Sequence, residues 1–262
     1  MKLYVCGCRG SIPVSGAEYL EFGGATTCYV LRRGDYAVVI DCGTGLRNAE
    51  AVLAGCRAVD VLLTHVHYDH IIGLLAQRSF PADAELRFIS AFDNWYGEDT
   101  LGQLLRPPFW PIIPRFGQVM TVGVPGRITL RDGFTAEFRD SFHPDGGVLI
   151  KLTLGKQSMC FLWDYEKGCE DLESWVRGSD LVCYDGMYDD DEYPDHTGWG
   201  HSTWQEGCRL ALRSNVKQLM ITHHAPDHDD DWLRQAEKQS AELFANTSFA
   251  REGTVIQLGE EF

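Results

Sequence analysis

A chain of 262 residues is long enough to bury a full core, as one larger domain or two small ones. Hydrophobic residues make up 44% and charged residues 23% of it, and no apolar run approaches the ~18 to 20 residues of a membrane span, which speaks against a membrane role. The formal net charge of -15 argues against binding long nucleic acid, which needs Lys and Arg to neutralise phosphates, but leaves a small phosphorylated ligand open.

The chain opens on Met1-Lys2-Leu3-Tyr4-Val5-Cys6-Gly7, which reads as a first strand without the longer apolar stretch and cleavage site of a signal peptide. A cytoplasmic protein is therefore expected. The nine cysteines are odd in number, scattered, and form no C-x-x-C pair, so neither a disulfide framework nor a cysteine zinc ribbon is indicated. Cys28, Cys160 and Cys183 fall in apolar runs and are expected in the core, while Cys6 and Cys8 either join them there or bind a soft metal.

Further strands are predicted at 36–40, 59–63, 86–89, 134–138, 148–154, 159–163, 181–184 and 218–221. Helices are predicted at 46–54, 69–78, 170–176, 203–213 and 232–244. Helices separate only some of the strands, which implies α/β layering with helices covering sheet faces. No linker, repeat or low-complexity tract divides the chain, so one domain over 1–262 is expected. The exception is 92–116, an insertion where Trp95, Tyr96, Phe109 and Trp110 stand among Pro107, Pro108, Pro111 and Pro114. So many breakers prevent long regular structure, and the aromatics need cover. The segment is then a lid, an interface such as that of a homodimer, or an insertion into the core. The acidic runs Asp189-Asp190-Asp191-Glu192 and 227–231 read as solvated loops.

Chemistry concentrates in Thr64-His65-Val66-His67-Tyr68-Asp69-His70, three imidazoles and a carboxylate on a strand-to-helix turn. In an extended turn His65 and His67 can point the same way, with Asp69 and His70 one step further round at the helix start. That arrangement suits two metal ions. Further ligands are available where other apolar strands stop: His143 in Ser-Phe-His-Pro-Asp-Gly-Gly, Asp164 at the end of Cys-Phe-Leu-Trp-Asp, and His223 or His224 in Met-Ile-Thr-His-His. Sites in layered α/β proteins collect at such strand ends.

With these residues in order, the chain resembles the metallo-β-lactamase-fold hydrolases over nearly its whole length. Their motif is H-x-H-x-D-H followed by a distant His, a bridging Asp and a last His. The resemblance implies a four-layer αββα sandwich of α/β class. It also implies that His65, His67 and His143 hold one metal and Asp69, His70 and His223 the other, with Asp164 bridging. His224 competes for the last position. Asp41, in Asp-Cys-Gly-Thr-Gly, resembles the family's carboxylate that orients a ligand histidine, or is a turn-forming Asp before Gly43. Zinc is the first expectation for two nitrogen-rich divalent sites, with manganese or iron as alternatives. Two such cations turn water into a nucleophile at neutral pH and neutralise a phosphoryl or carbonyl oxygen.

A second pair bears on the reaction. Asp185, in Val-Cys-Tyr-Asp-Gly, and His201, in Gly-Trp-Gly-His-Ser-Thr, are similar to a pair in the phosphodiesterase branch that includes the tRNA 3′-processing endonucleases. There an acidic residue orients a histidine that protonates the departing oxygen. By that resemblance Asp185 orients and His201 is the general acid, unless His201 and Ser202 merely cap the following helix. Gly7-Cys8-Arg9-Gly10-Ser11-Ile12-Pro13 resembles the first loop of the same branch. Asp145 departs from the branch, where His143 would be followed by Pro-Gly-Gly, and no long basic arm for gripping tRNA is present. The expected activity is hydrolysis of a small phosphodiester such as a cyclic nucleotide. The alternatives are a lactone or thioester hydrolase using the same metals, and a metal- or nucleotide-binding sensor without turnover.

Overall fold

The computed structural model describes residues 1–91, 100–112, 114, 116–168 and 171–259. Strands β1 (Lys2–Gly7), β2 (Cys28–Arg33) and β3 (Tyr36–Ile40) pair antiparallel in sequence. Strands β4 (Ala58–Leu62), β5 (Glu85–Ser90) and β6 (Gln118–Thr121) then add in parallel. A second sheet begins with the antiparallel run β7 (Gly126–Thr129), β8 (Thr135–Asp140), β9 (Val148–Leu154) and β10 (Gln157–Leu162). It continues in parallel through β11 (Leu181–Asp185), β12 (Leu219–Thr222) and β13 (Thr247–Phe249). Finally β14 (Val255–Gln257) returns to the first sheet beside β1, giving two seven-stranded sheets.

Strand periodicity explains the layers. On β3, Tyr36, Val38 and Ile40 point into the core between the sheets, where they meet Phe134, Phe138, Ile150, Leu152 and Phe161 from the second sheet. The alternate residues Ala37 and Val39 face outward onto a helical layer containing Leu46, Leu53, Ile71 and Leu74. Both faces are buried, so the strand reads as an unbroken apolar run. The second sheet repeats this: Cys160, Leu162, Val182 and Ile221 turn outward onto Cys208, Ala211, Leu233 and Ala236. The result is the expected four-layer αββα sandwich.

The helices are α1 (Glu50–Leu53), α2 (Tyr68–Ile71), α3 (Thr100–Leu104), α4 (Glu173–Val176), α5 (Trp204–Ser214) and α6 (Asp230–Leu243). On the second sheet α5 and α6 match the periodic segments closely, and each has a side-chain cap: Thr203 accepts from the Glu206 N–H and Asp229 from the Trp232 N–H. Two predicted helices near the first sheet are broken instead. The 46–54 segment divides into a 3₁₀ turn at Thr44–Arg47 and α1, and the 69–78 segment continues from α2 as the 3₁₀ run Ile72–Ser79. Here backbone groups bond across to the chain after β3: the Cys42 N–H donates to the His70 carbonyl, and the Gly73 N–H to the Cys42 carbonyl. A Cβ at Gly73 would sit 2.0 Å from the Gly43 oxygen, so only glycine allows this approach.

Residues 92–99, 113 and 115 of the proposed insertion, with Trp95 and Tyr96, lie outside the described residues, as does 170 of the third predicted helix, whose helical part is Glu173–Val176. Of the rest of the insertion, Phe109 is 77% exposed, so the body of the chain itself does not cover it. The acidic runs are also not merely solvated. Asp190 pairs with Lys167 and Arg209, and buried Asp230 accepts from the Glu21 and Phe22 N–H groups, so both runs tie neighbouring loops together. The cysteine expectations hold for Cys28, Cys160 and Cys183, and Cys6 and Cys8 are buried too. Burial, with Glu252 nearby, pushes the Cys8 thiol up to about 12.

Away from the strand ends that gather the histidines, Asp60 on β4 is wholly buried and accepts from the Tyr36 hydroxyl at 2.7 Å, Arg87 Nε at 2.9 Å and Arg131 Nη1 at 2.8 Å. Removing a buried partner leaves the opposite charges uncompensated. Because both guanidiniums retain some solvent, Asp60→Ala is expected to cost roughly 3 kcal/mol, the low end for such a loss. Urea unfolding of the variant checks this; an unchanged midpoint would contradict it.

Candidate metal centre

The polar residues gather where strands from both sheets end. Asp41 follows β3, His65 lies beyond β4, His143 beyond β8, Asp164 beyond β10, Asp185 ends β11 and His223 follows β12. Asp41, Asp164 and His223 adopt left-handed backbone, at φ 57°, 52° and 59°. Non-glycine residues rarely do so, and such strain clusters where surrounding structure fixes a functional geometry.

Potential ligand atoms of His65, His67 and His143 lie within 4.8 Å of one another, and so do those of Asp69, His70 and His223. Asp164 stands between these groups. Its Oδ2 lies 3.1 Å from His70 Nε2 and 3.2 Å from His223 Nε2, and its Oδ1 lies 3.6 Å from His143 Nε2 and 3.9 Å from His65 Nε2. All seven residues named from the sequence therefore converge. His224 does not. Its Nε2 donates to the Ala250 carbonyl and its ring stacks on Phe249, so it belongs to the packing behind the cluster.

The donor set fits divalent cations. His65 Nε2, His70 Nε2, His223 Nε2 and Asp164 Oδ2 are buried without a hydrogen-bond partner, a costly state unless a cation satisfies them. His143 Nε2 and His67 Nδ1 face each other at 3.1 Å, where two lone pairs repel unless a proton or cation is shared. Burial, with His70 and His143 alongside, holds His65 well below its ordinary value, in the neutral form a metal needs. Burial opposes charge on Asp164 too, but His223, His70 and His65 outweigh it and hold this carboxyl well below its usual range.

Outer partners fix the inner ones. Asp41 is wholly buried and accepts from the Thr64 N–H at 2.8 Å, Thr64 Oγ1 at 2.7 Å, Trp163 Nε1 at 2.8 Å and His70 Nδ1 at 2.7 Å. With its Nδ1–H committed, His70 presents Nε2 to the cluster. The turn reading of Asp41 thus gives way to the orienting one. His143 is set likewise, its Nδ1–H donating to the Gly200 carbonyl at 2.9 Å. Gly200 has φ 86°, and a Cβ there would sit 2.0 Å from His143 Nδ1. The Ser11 N–H donates to Asp69 Oδ2 at 2.8 Å, which places the N-terminal loop at the site. After His143, the additional Asp145 is absorbed by left-handed backbone at Asp145 and Gly146, closed by the Gly146 N–H on the His143 carbonyl.

Asp185 and His201 meet beside this cluster. His201 Nδ1–H donates to Asp185 Oδ2 at 3.1 Å, and Asp185 also accepts from the Asp164, Met187 and Ser202 N–H groups. Burial alone would lower the His201 value, but Asp185, then Asp164 and Asp69, raise it to about 8. The capping alternative fails, because Thr203 caps α5 and Ser202 Oγ bonds the Tyr184 hydroxyl. A cavity of about 430 Å³ opens over the cluster, lined among others by Ser11, Val66, Tyr68, Leu104 and His201. Sequence reading missed Trp163, Thr64 and Gly200 as supports. Trp163 and Thr64 directly precede predicted ligands, but adjacency alone does not reveal where an indole or hydroxyl points.

A two-sheet αββα sandwich with clustered His and Asp at its strand ends defines a metal-binding hydrolase of metallo-β-lactamase fold. Residues 36–224 match the Beta-lactamase superfamily domain, and the chain belongs to that superfamily. It is similar to the probable metallo-hydrolase YhfI of Bacillus subtilis (strain 168), at 24% identity over 88% of this chain and 90% of that protein. The crystal structure of YhfI covers 97% of this chain and 98% of its own at 21% identity, with a TM-score of 0.75. A ribonuclease Z of Gemmatimonas aurantiaca is 31% identical over 90% of each chain. The structure of a diphosphatase from the PhnP family covers 98% of both chains at 20% identity, with a TM-score of 0.73.

Proposed function

We propose that this protein is a dinuclear phosphodiesterase acting on small diesters such as cyclic nucleotides, with the whole chain as one hydrolase domain. The observation that carries this reading is the His201–Asp185 pair, 3.1 Å apart, set against the His/Asp cluster. A thiolate leaving a thioester has little need of a separate proton donor, whereas an alkoxide leaving a phosphodiester does.

Bound by His65, His67 and His143 and by Asp69, His70 and His223, with Asp164 between, two divalent ions would supply charge neutralisation and a nucleophilic water. The remaining work falls to side chains. His201, with Nδ1–H held by Asp185, directs Nε2 toward the cavity it lines and gives its proton to the departing oxygen. Asp185 keeps the ring in that tautomer and stabilises its cationic form. Asp41 and the Gly200 carbonyl hold His70 and His143 with Nε2 turned inward.

The cavity wall favours a singly charged diester over a polyanion. Among the described residues no Lys or Arg lines it, while Val66, Tyr68 and Leu104 offer apolar surface of the kind a nucleobase covers. Leu104 belongs to the 92–116 segment, which supports the lid reading of that segment. The charge of -15 supports small diesters over RNA. Zinc suits the nitrogen-rich ligand set. Buried free thiols suit the cytoplasm, and among the described residues no helix is long and apolar enough to cross a membrane.

The test is hydrolysis of bis-p-nitrophenyl phosphate by protein reconstituted separately with zinc, manganese and iron. Chelator-sensitive turnover is expected. Turnover of lactones or thioesters instead, indifferent to loss of His201, would replace this reading; tight nucleotide binding without product would mark a sensor.

A further inference from the structure

We infer that Glu166 is a positioning residue that clamps the Gly198–His201 loop, and through it aligns a candidate metal ligand and the proposed acid together. Glu166 lies two residues beyond Asp164 and is 8% exposed. No Lys or Arg pairs with it among the described residues. Its carboxylate instead accepts from the Gly200 N–H at 2.7 Å, the Gly198 N–H at 3.1 Å and the Tyr193 hydroxyl. A buried carboxylate bonded to two backbone N–H groups of one short loop fixes that loop strongly, because bonds to a charged acceptor are about twice as strong as neutral ones. The same stretch is held from the adjoining residue, where the Lys167 N–H donates to the His201 carbonyl at 3.2 Å.

What the clamp controls follows from the two faces of Gly200. Its N–H is held by Glu166, while its carbonyl accepts from His143 Nδ1 at 2.9 Å. The orientation of the Gly200 peptides thus reaches the His143 ring, and the next residue is His201. Glu166 is tied to the opposite wall as well, its own N–H donating to the Ser141 carbonyl two residues before His143. One residue therefore joins the two segments, its backbone N–H holding the His143 turn and its carboxylate the His201 loop. Both imidazoles face Asp164 Oδ1, at 3.6 and 3.9 Å, so a shift of the loop misplaces the two rings together.

The inference rests on the phosphodiesterase reading for its kinetic consequence, but not for its metal consequence. In Glu166→Ala, metal affinity measured by competition with a chromophoric chelator is expected to fall ~10- to 100-fold, as for loss of other groups that orient ligands. Turnover of a 2′,3′-cyclic nucleotide, which expels an alkoxide, should fall further than that of bis-p-nitrophenyl phosphate, whose leaving group needs little protonation. Glu166→Gln conserves the shape but turns an amide N–H toward one of the loop donors, so a smaller shift in the same direction is expected. A folded Glu166→Gln with the affinity and leaving-group ratio of the unaltered protein would overturn the inference. So would an equal loss on both esters with metal affinity unmoved in Glu166→Ala. Should no diester be cleaved at all, the chelator titration still decides the clamp by itself.

Discussion

Replacing His201 by alanine is expected to slow cleavage of a 2′,3′-cyclic nucleotide by ~10² to 10⁴, the usual contribution of a positioned general acid. The loss on bis-p-nitrophenyl phosphate should be far smaller, since nitrophenolate departs without a proton. His201 touches neither the core between the sheets nor the cap of α5, which Thr203 provides, so the variant should fold and retain metal. Steady-state kinetics on both esters provide the check. Equal rates for His201→Ala and the unaltered protein on the cyclic nucleotide would remove His201 from the mechanism. An equal loss on both esters would make it a binding group instead.

The second large effect belongs to Asp164, the carboxylate common to both ligand groups. Its removal takes away the carboxylate that reaches His65, His70, His143 and His223 together, leaving Asp69 to face only His70 and His223 of these. Asp164→Ala is expected to lower metal content below two ions per chain and to reduce kcat by about three orders of magnitude, equivalent to several kcal/mol of lost transition-state stabilisation. Metal analysis of the purified variant, with kinetics at saturating zinc, measures both. Two tightly held ions and undiminished turnover would show that Asp164 is a bystander.

Much of this was legible in the sequence because strand ends announce themselves. A run such as 148–154 or 181–184, short and rich in Val, Leu and Ile or aromatic residues, reads as a strand, and a His or Asp where it stops has its position set by the sheet. His65, His143, Asp164 and His223 were all located in that way. The 3₁₀ breaks after Gly43 and at Gly73 were not legible, because they depend on backbone bonds between chain segments that periodicity does not relate. The short strands β2, β6, β7, β13 and β14 escaped for a similar reason. Four of them, β6, β7, β13 and β14, have four residues or fewer at sheet edges, and β2 ends in the arginines of a solvent turn.

At the site, ligand types were readable but their supports were not. Nothing in the order of residues links Asp41 to Trp163, or Glu166 to Gly200; both links exist only because β3, β10 and the loop before α5 end at one place. The residues alone leave His223 and His224 open, and the resemblance prefers His223, which directly follows its strand and Thr222 as the family motif has it. The structure agrees in placing one ring in the cluster and the other against Phe249.

The central claim is a two-ion phosphodiesterase acting on small diesters. It is tested most directly by incubating protein of measured metal content with a panel of cyclic nucleotides and following product by chromatography. Two ions per chain and chelator-sensitive conversion of a cyclic nucleotide to a monophosphate are predicted. Protein carrying both ions that leaves every cyclic nucleotide and bis-p-nitrophenyl phosphate intact would contradict the account.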